Sequence, residues 1–388
     1  MSSDFANLPL RDDLRGETPY GAPQLDIPVC LNVNENPYAP PKNVADAIAK
    51  RAGAAALKLN RYPDREHVAL RDALAGYINA ETDAGIKREQ VWAANGSNEI
   101  MLQLFQAFGG PGKTALGFSP TYSMYPEYAR DTFTKWKTVS RREDFTIDTE
   151  SAAEEIRRIG PSVVMIANPN NPTGTYIEND DLRVLLDVCK EVRVKNAPES
   201  ARPVVVVDEA YAEFRTPGLE SAISLIGEYP NLAVSRTMSK AFAFAGTRLG
   251  YLIGNENVVN ALRIVRLPYH LSALTQAASL AALEHSGELL AQVSHLRETR
   301  DETEKWFKTL QYCGRPIKNA ESESNFIMFG VFIDRDFIFD ELKKRGVLIR
   351  AVGPEGYLRV CMGTDEEMRI FREKFAEVLQ LANERDGK

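Results

Sequence analysis

One lysine stands alone among small and hydroxyl-bearing residues in the stretch SRTMSKAFAFAGTRLGY, residues 235–251. Lys240 follows Thr237 and Ser239, and the next cation along the chain is Arg248. A lysine in such a pocket loses solvation, which lowers its pKa and lets the neutral amine attack a carbonyl. The two hydroxyls and the guanidinium could bind an anion. A surface lysine at the start of a helix is the alternative interpretation of this segment taken alone.

A carboxylate and a phenol follow the apolar run VVVV at residues 204–207. Asp208 ends this run, and a carboxylate at the end of a strongly apolar strand needs a partner. Tyr211 comes three residues later, on the same side if the chain turns helically. Such a pair would suit a ring nitrogen and a ring oxygen of one aromatic cofactor. The alternatives are a helix N-cap for Asp208 and simple packing for Tyr211.

Three more segments carry candidate ligand-binding residues. In ANPNNPTGT, Asn171 follows a predicted strand, although a plain turn is the alternative. In NGSNEI, the backbone N–H groups of Gly96, Ser97 and Asn98 would face a phosphate at a helix N-terminus, and ordinary capping is the alternative. In SPTYSMYPEYAR, Tyr122 could stack on a flat cofactor, or it could pack in the core.

The elements that must position these residues predict an α/β fold. From about Val91 onward, short β-branched runs that are apolar on both faces alternate with helical stretches, which indicates a mostly parallel sheet. The candidates follow such strands, at the edge where open α/β sheets bind ligands. We expect an N-terminal arm over residues 1–35, a large domain over 36–265 and a smaller α+β domain over 266–388.

Composition excludes several classes of protein. The 388-residue chain has a formal net charge of −7, which disfavours nucleic-acid binding. Its four cysteines are widely spaced with no CxxC pair, so we expect neither a metal site nor a disulfide framework. It has no run of about 18 apolar residues and no apolar signal core, which predicts a cytoplasmic protein without a membrane span.

The ordered set of Asn171, Asp208, Tyr211, Lys240 and Arg248 resembles the pyridoxal-phosphate enzymes of fold type I, in the class of the aspartate-type aminotransferases. The resemblance covers nearly the whole length. Further segments resemble the histidinol-phosphate aminotransferase family, particularly its actinobacterial forms: TPYGAPQLDIPVCLNVNENPYAPP, RYPD, NPNNPTG, LPYHLSALTQ and YLRVCMGT. The resemblance implies a large domain with a seven-stranded, mostly parallel sheet between helices, a smaller C-terminal α+β domain, and pyridoxal 5′-phosphate as cofactor.

The resemblance also implies a role for each cofactor residue. Lys240 would bond covalently to the cofactor and move the proton between Cα and C4′. Asp208 would keep the pyridine nitrogen protonated, so that the ring accepts electrons, while Asn171 and Tyr211 would bind the ring oxygen. Tyr62, a loop anchor when taken alone, would reach the phosphate from the neighbouring subunit of a homodimer. The other contacts would be Tyr122 on the ring and Ser97, Asn98, Thr237, Ser239 and Arg248 at the phosphate.

Substrate residues follow from the same resemblance. Arg359 matches the arginine that binds an α-carboxylate in most of the superfamily, and here it would bind the phosphate of histidinol phosphate. Arg350 matches a second phosphate-binding arginine, with a surface charge as the alternative. Two guanidiniums suit a dianion better than one carboxylate. Tyr20 resembles the tyrosine that closes over this phosphate, and Asn36 is also assigned to the substrate. Val33 departs from the family, where alanine is usual.

The implied reaction is a transamination in L-histidine biosynthesis. Glutamate would donate the amine and leave as 2-oxoglutarate, and imidazole-acetol phosphate would accept it to become L-histidinol phosphate. An aromatic amino-acid aminotransferase, which would use Arg359 for a carboxylate, is the first alternative. A threonine-phosphate decarboxylase is the second. A regulator that senses the cofactor is the third, but it would need an added DNA-binding domain of ~60–80 residues, for which we expect no spare segment.

Overall fold

A computed structural model describes residues 7–19, 21 and 23–387 of the chain. Eleven α-helices lie in this described part, joined by loops and short 3₁₀ turns. They are α1 Lys42–Ala56, α2 Val68–Thr82, α3 Gly96–Phe108, α4 Tyr125–Asp131, α5 Thr149–Ile159, α6 Asn179–Glu191, α7 Glu256–Val265, α8 Ala273–Glu284, α9 Ser286–Phe307, α10 Arg335–Lys344 and α11 Asp365–Asp386. In the same ranges no helix is long and apolar enough to cross a membrane.

The β-strands divide between one large sheet and several small ones. The described strands are β1 Val29–Cys30, β2 Val91–Asn95, β3 Thr114–Ser119, β4 Lys135–Ser140, β5 Val163–Ala167, β6 Val204–Asp208, β7 Leu232–Thr237, β8 Leu249–Gly254, β9 Gln311–Tyr312, β10 Arg315–Pro316, β11 Lys318–Asn319, β12 Phe326–Gly330, β13 Val347–Leu348, β14 Arg350–Ala351 and β15 Leu358–Cys361.

The large sheet has seven strands in the order β2-β8-β7-β6-β5-β3-β4, and only β8 runs against the others. Both of its faces are buried. Along β6, Val204 and Val206 pack in one apolar cluster, while Val205 and Val207 pack in another on the opposite face. Burial on both faces explains why such a strand is a continuous valine run rather than an alternating one. The predicted α/β fold with a mostly parallel seven-stranded sheet is confirmed.

The carboxyl ends of the parallel strands bring distant segments together. β6 ends at Asp208, whose pairing partner on β7 is Ser235. Thr237, at the end of β7, pairs with Gly250 near the start of β8, because β8 runs the other way. Asn95, at the end of β2, pairs with the first residue of β8. The start of α3, the end of β7 and the loop before β8 therefore meet at one edge of the sheet.

A second, four-stranded sheet lies towards the C-terminus, in the order β11-β12-β15-β14. The arm contributes to this half of the molecule, because β1 pairs in parallel with β13. After Pro268 two helices follow one another, α8 and α9, separated at His285. The division of the chain at residues 35 and 265 stays a prediction.

Candidate active site

A cavity of about 220 Å³ opens at the carboxyl edge of the large sheet. It gathers residues that lie far apart in the sequence, from the arm to the C-terminal sheet. Its lining includes twelve of the residues predicted from the sequence: Ser97, Asn98, Tyr122, Asn171, Asp208, Tyr211, Thr237, Ser239, Lys240, Arg248, Arg350 and Arg359.

Lys240 lies in the turn after β7, and its amine donates a hydrogen bond to the main-chain oxygen of Val33, with an Nζ–O distance of 3.0 Å. The surrounding protein withdraws the amine from water, and this desolvation lowers the pKa of Lys240 to about 8. The nearby guanidinium of Arg359 adds to the shift. Near neutral pH the neutral, nucleophilic form of this amine is therefore far more populated than in an ordinary lysine.

Asp208 sits buried at the floor of the cavity. The hydroxyl of Tyr125 donates to its Oδ2 over 2.8 Å, and the backbone N–H of Ala210 donates to its Oδ1 over 3.3 Å. Burial outweighs these bonds and raises the pKa of Asp208 to about 6. Sequence reasoning missed Tyr125, since SPTYSMYPEYAR holds three tyrosines and nothing in their spacing marks the one that reaches Asp208. It selected Tyr122, whose ring stands edge-on to Tyr125 at 5.5 Å between centroids.

Tyr211 is held by two amide side chains. Its hydroxyl oxygen accepts hydrogen bonds from Nδ2 of Asn34 over 2.8 Å and from Nδ2 of Asn171 over 3.2 Å. Burial raises the pKa of Tyr211 to about 12, so the phenol keeps its proton and can donate it to a ligand. Asn34 was also missed, because the motif NVNENPY offers three asparagines and sequence reasoning selected the third, Asn36.

The structure does not bring Asn36 into the cavity. Its side-chain amide donates to the main-chain oxygen of Ala241 and to Oε1 of Gln292, each over 3.3 Å. Its own Oδ1 accepts from the backbone N–H of Tyr38 over 3.0 Å. These bonds fix the chain as it leaves the arm, and the assigned substrate contact of Asn36 stays a prediction.

A cup of hydrogen-bond donors lies where α3 begins. A Cβ at Gly96 would stand 2.5 Å from Nη2 of Arg248, and a Cβ at Gly250 would stand 2.2 Å from the main chain of Gly96. Two glycines therefore let a helix N-terminus, a guanidinium and a strand approach closely. The Oγ atoms of Thr237 and Ser239 are 3.0 Å apart, and Nη1 of Arg248 donates to the Ser239 Oγ over 3.3 Å. Donors converging on a helix N-terminus are suited to a phosphate.

Two arginines face the cavity from the C-terminal sheet. Arg350 on β14 and Arg359 on β15 are directly opposite in the strand register. Arg359 donates to Oδ1 of Asn171 over 2.7 Å and to the main-chain oxygen of Asn32 over 3.1 Å. Nη1 of Arg350 and Nε of Arg359 are buried without a hydrogen-bond partner. Neither guanidinium forms an ion pair within the described part of the chain, so both are available for an anionic ligand.

Tyr62 and Tyr20 are the remaining residues predicted from the sequence. Tyr62 is 80% exposed and stacks on Tyr269, with 4.4 Å between ring centroids, away from the cavity of its own chain. Tyr20 lies outside the described residues.

Comparison with known proteins places this chain in a family. Residues 26–375 match the model of the aminotransferase class I and II family. A histidinol-phosphate aminotransferase of Bifidobacterium adolescentis is 60% identical over 98% of this chain and 97% of its own length. One of Thermobifida fusca is 52% identical over 95% of this chain and 94% of its own.

A solved structure agrees with the fold. The crystal structure of histidinol-phosphate aminotransferase from Sinorhizobium meliloti, in complex with pyridoxal-5′-phosphate, superposes with a TM-score of 0.77 over 91% of both chains at 24% identity. At that identity the likeness concerns the fold alone. Since the family model and these curated relatives span nearly the whole chain, the protein belongs to the class I and II aminotransferases, among the histidinol-phosphate aminotransferases.

Proposed function

We propose that the protein transfers an amino group from L-glutamate to imidazole-acetol phosphate, giving 2-oxoglutarate and L-histidinol phosphate, as a step of histidine biosynthesis. The observation that carries this proposal is the pair of guanidiniums, Arg350 and Arg359, opposite each other on neighbouring strands without a carboxylate partner in the described structure. Two cations without a counter-ion match a phosphate dianion. The relatives at 48–60% identity that bear the histidinol-phosphate aminotransferase name support the same choice.

The cavity fits pyridoxal 5′-phosphate on three counts. The cup formed by the start of α3, Thr237, Ser239 and Arg248 provides donors for its phosphate. The buried carboxylate of Asp208 can pair with its ring nitrogen, and the low-pKa amine of Lys240 can bond to its aldehyde. When bound, this cofactor supplies a ring that accepts electrons from the substrate Cα.

The residues of the chain would then bind the cofactor ring and move protons. Lys240, once its amine is free, would take the proton from the substrate Cα and deliver it to C4′ of the cofactor. Proton transfer of this kind contributes ~10²–10⁴-fold. Asp208 holds a proton on the ring nitrogen, and Tyr211 donates a hydrogen bond to the ring oxygen while Asn34 and Asn171 fix its orientation.

Preference for an acceptor that carries a phosphate distinguishes this proposal from the alternative, an aromatic amino-acid aminotransferase. A carboxylate needs only one guanidinium, so an aromatic acceptor would leave Arg350 buried in part and without a counter-ion. An unpaired buried charge is unfavourable. The imidazole-acetol phosphate dianion would neutralise both arginines and is therefore the expected acceptor.

Steady-state transamination tests the proposal. With glutamate as donor, kcat/KM is measured for imidazole-acetol phosphate and for phenylpyruvate, in the wild type and in Arg350→Gln. We expect the wild type to prefer the phosphorylated acceptor. The variant should lose ~10–100-fold for that acceptor, since hydrogen bonds between charged groups contribute ~1.5–3 kcal/mol, and should keep its rate with phenylpyruvate. A wild-type preference for phenylpyruvate would refute the phosphate assignment and leave the cofactor site intact.

We further infer a homodimer whose active sites are shared. Exposed apolar side chains flank the stacked pair Tyr62 and Tyr269 on the same two chain segments: Leu57, Leu59, Ile264 and Leu267. An apolar surface of this kind marks an interaction site. If a second copy covers this apolar surface, Tyr62 would lie towards the cup at the start of α3 in the partner subunit.

Subunit mixing tests this inference. Tyr62→Ala and Lys240→Ala are each expected to be nearly inactive alone. If the sites are shared, a mixed dimer contains one site with both residues intact, so activity should reappear when the two variants are unfolded and refolded together. Activity no greater than the sum of the separate variants would contradict a shared site.

A cytoplasmic location completes the proposal. Cys30, Cys189, Cys313 and Cys361 are all free thiols, which is usual for proteins of a reducing compartment. The location is checked by expressing a fluorescent fusion, fractionating the cells and measuring the fluorescence in the cytoplasmic fraction.

A further inference from the structure

An ionic cluster, buried except for Glu81 at its edge, lies behind the cavity, on the other side of the strand ends. Its members are Glu81, Glu209, Glu213, Arg215 and Arg236. Glu209 directly follows Asp208, and Arg236 directly precedes Thr237. Because successive side chains of a strand point to opposite faces, the cluster and the cavity share one stretch of backbone but face opposite directions.

Glu209 and Arg236 form the centre of this cluster. Their side chains are fully buried, and Nη2 of Arg236 lies 2.9 Å from Oε2 of Glu209. Nε of Arg236 donates to the same carboxylate over 3.0 Å. Ser221 Oγ and the backbone N–H of Ala222 each donate to Glu209 over 2.7 Å. Burial alone would raise the pKa of Glu209, but Arg215 and Arg236 outweigh it and hold that pKa below its ordinary value, so the pair is ionic.

The pair acts where the sheet ladder between β6 and β7 ends. The last backbone bond between these strands runs from the N–H of Glu209 to the oxygen of Ser235, over 2.8 Å. Beyond it, Thr237 pairs with β8 instead. The ion pair between Glu209 and Arg236 therefore ties the two strand ends together just where Asp208 and Thr237 enter the cavity.

We propose that Glu209 and Arg236 are positioning residues, which fix the separation of Asp208 and Thr237 and so match the cavity to both ends of the cofactor. The inference rests on the proposed function only in taking pyridoxal phosphate as the ligand. Neither residue lines the cavity. The inference does not depend on which amino acceptor the enzyme uses.

The test measures cofactor binding, without any amino substrate. The holoenzyme is compared with Glu209→Gln, Arg236→Met and the double variant carrying both changes. For each, the dissociation constant of pyridoxal phosphate is measured, together with the pH midpoint of the bound cofactor's visible absorption band. A single variant removes one charge from the cluster, leaves its buried charges unbalanced and can fail to fold. The double variant keeps the formal charge of the cluster unchanged, because one anion and one cation are lost together.

The expected result is a ~10–100-fold weaker affinity in the double variant, by analogy with the loss of residues that orient metal ligands at metal sites, with a shifted absorption midpoint. Ile156→Ala is the matched control, since it removes buried apolar volume on α5 and lowers stability elsewhere. Wild-type affinity and midpoint in the double variant would overturn the proposal, and so would an equal loss of affinity in the control. A wild type that binds no pyridoxal phosphate would instead refute the proposed function.

Discussion

The hydrogen bond from Tyr125 to Asp208 should set the acid limit of cofactor binding. Both side chains are buried, and the bond measures 2.8 Å from Oη to Oδ2. Tyr125→Phe removes the donor and keeps the ring that fills the core. Because the bond favours the ionised carboxylate and thereby lowers the pKa of Asp208, its loss raises that pKa above its present value of about 6.

The size of the effect follows from the charge on the acceptor. A hydrogen bond to a charged group contributes ~1.5–3 kcal/mol, and ~1.4 kcal/mol corresponds to one pKa unit. The pKa of Asp208 in the variant should therefore rise by about one to two units. Since the ionised carboxylate is the form that pairs with a protonated ring nitrogen, affinity for the cofactor is lost as the pH falls through this pKa. The variant should lose affinity at a higher pH than the wild type.

The assay is the dissociation constant of pyridoxal phosphate measured from about pH 5 to about pH 9, on either side of the expected pKa. Tyr229→Phe is the control, because it removes a phenol that donates to a different carboxylate, Asp187, over 3.0 Å. The control should follow the wild-type curve. If the acid limb of Tyr125→Phe also coincides with the wild type, the assigned role of this bond is wrong.

Four further predictions concern the cofactor site. The rate at which the apoprotein captures pyridoxal phosphate should rise with pH around a midpoint near the pKa of Lys240, about 8, as followed by absorbance in stopped flow; a flat profile would contradict the neutral amine as nucleophile. Lys240→Ala should be nearly inert in transamination, and Lys240→Arg should not rescue it, because an arginine stays protonated. Asp208→Asn should abolish turnover but stabilise the apoprotein. The pKa of Asp208 in the folded protein, about 6, lies above the ordinary 3.8. The wild type therefore loses up to about 3 kcal/mol of folding stability as the pH rises through that range, because the buried carboxyl ionises. Thermal melts of the wild type and the variant at about pH 8 should show this difference. Gly96→Ala should weaken cofactor binding, since the new Cβ would meet Nη2 of Arg248 at 2.5 Å and the φ of +78° disfavours alanine; an unchanged dissociation constant would count against the tight cup.

The fold was predictable because its signals are local. A strand buried on both faces must be apolar at successive positions, as 204–207 are, and a turn residue after it marks the sheet edge. The chemistry of Lys240 and Asp208 follows from the same reasoning, since a charged group beside apolar or small neighbours is desolvated.

The partners of these groups were less predictable, because they come from remote parts of the chain. Tyr125 and Asp208 are 83 residues apart, and Asn34 and Tyr211 are 177 apart. Which of several tyrosines or asparagines in one motif faces the site depends on the conformation of the folded backbone, and the spacing in the sequence does not specify it. The ionic role of Glu209 was invisible for the same reason, as its counter-ion lies on the next strand.

Besides the side chain of Asn34, two main-chain oxygens of the arm reach the site, and this has an evolutionary consequence. Lys240 and Arg359 both donate to backbone oxygens of the arm, those of Val33 and Asn32. Such bonds do not depend on the side chain, so the departure from alanine at position 33 costs the lysine nothing. The number of residues matters instead, because pairing of β1 with β13 anchors the segment at Cys30. A deletion there would carry both oxygens out of register, so the side chain at position 33 can vary over time while the length of this segment cannot.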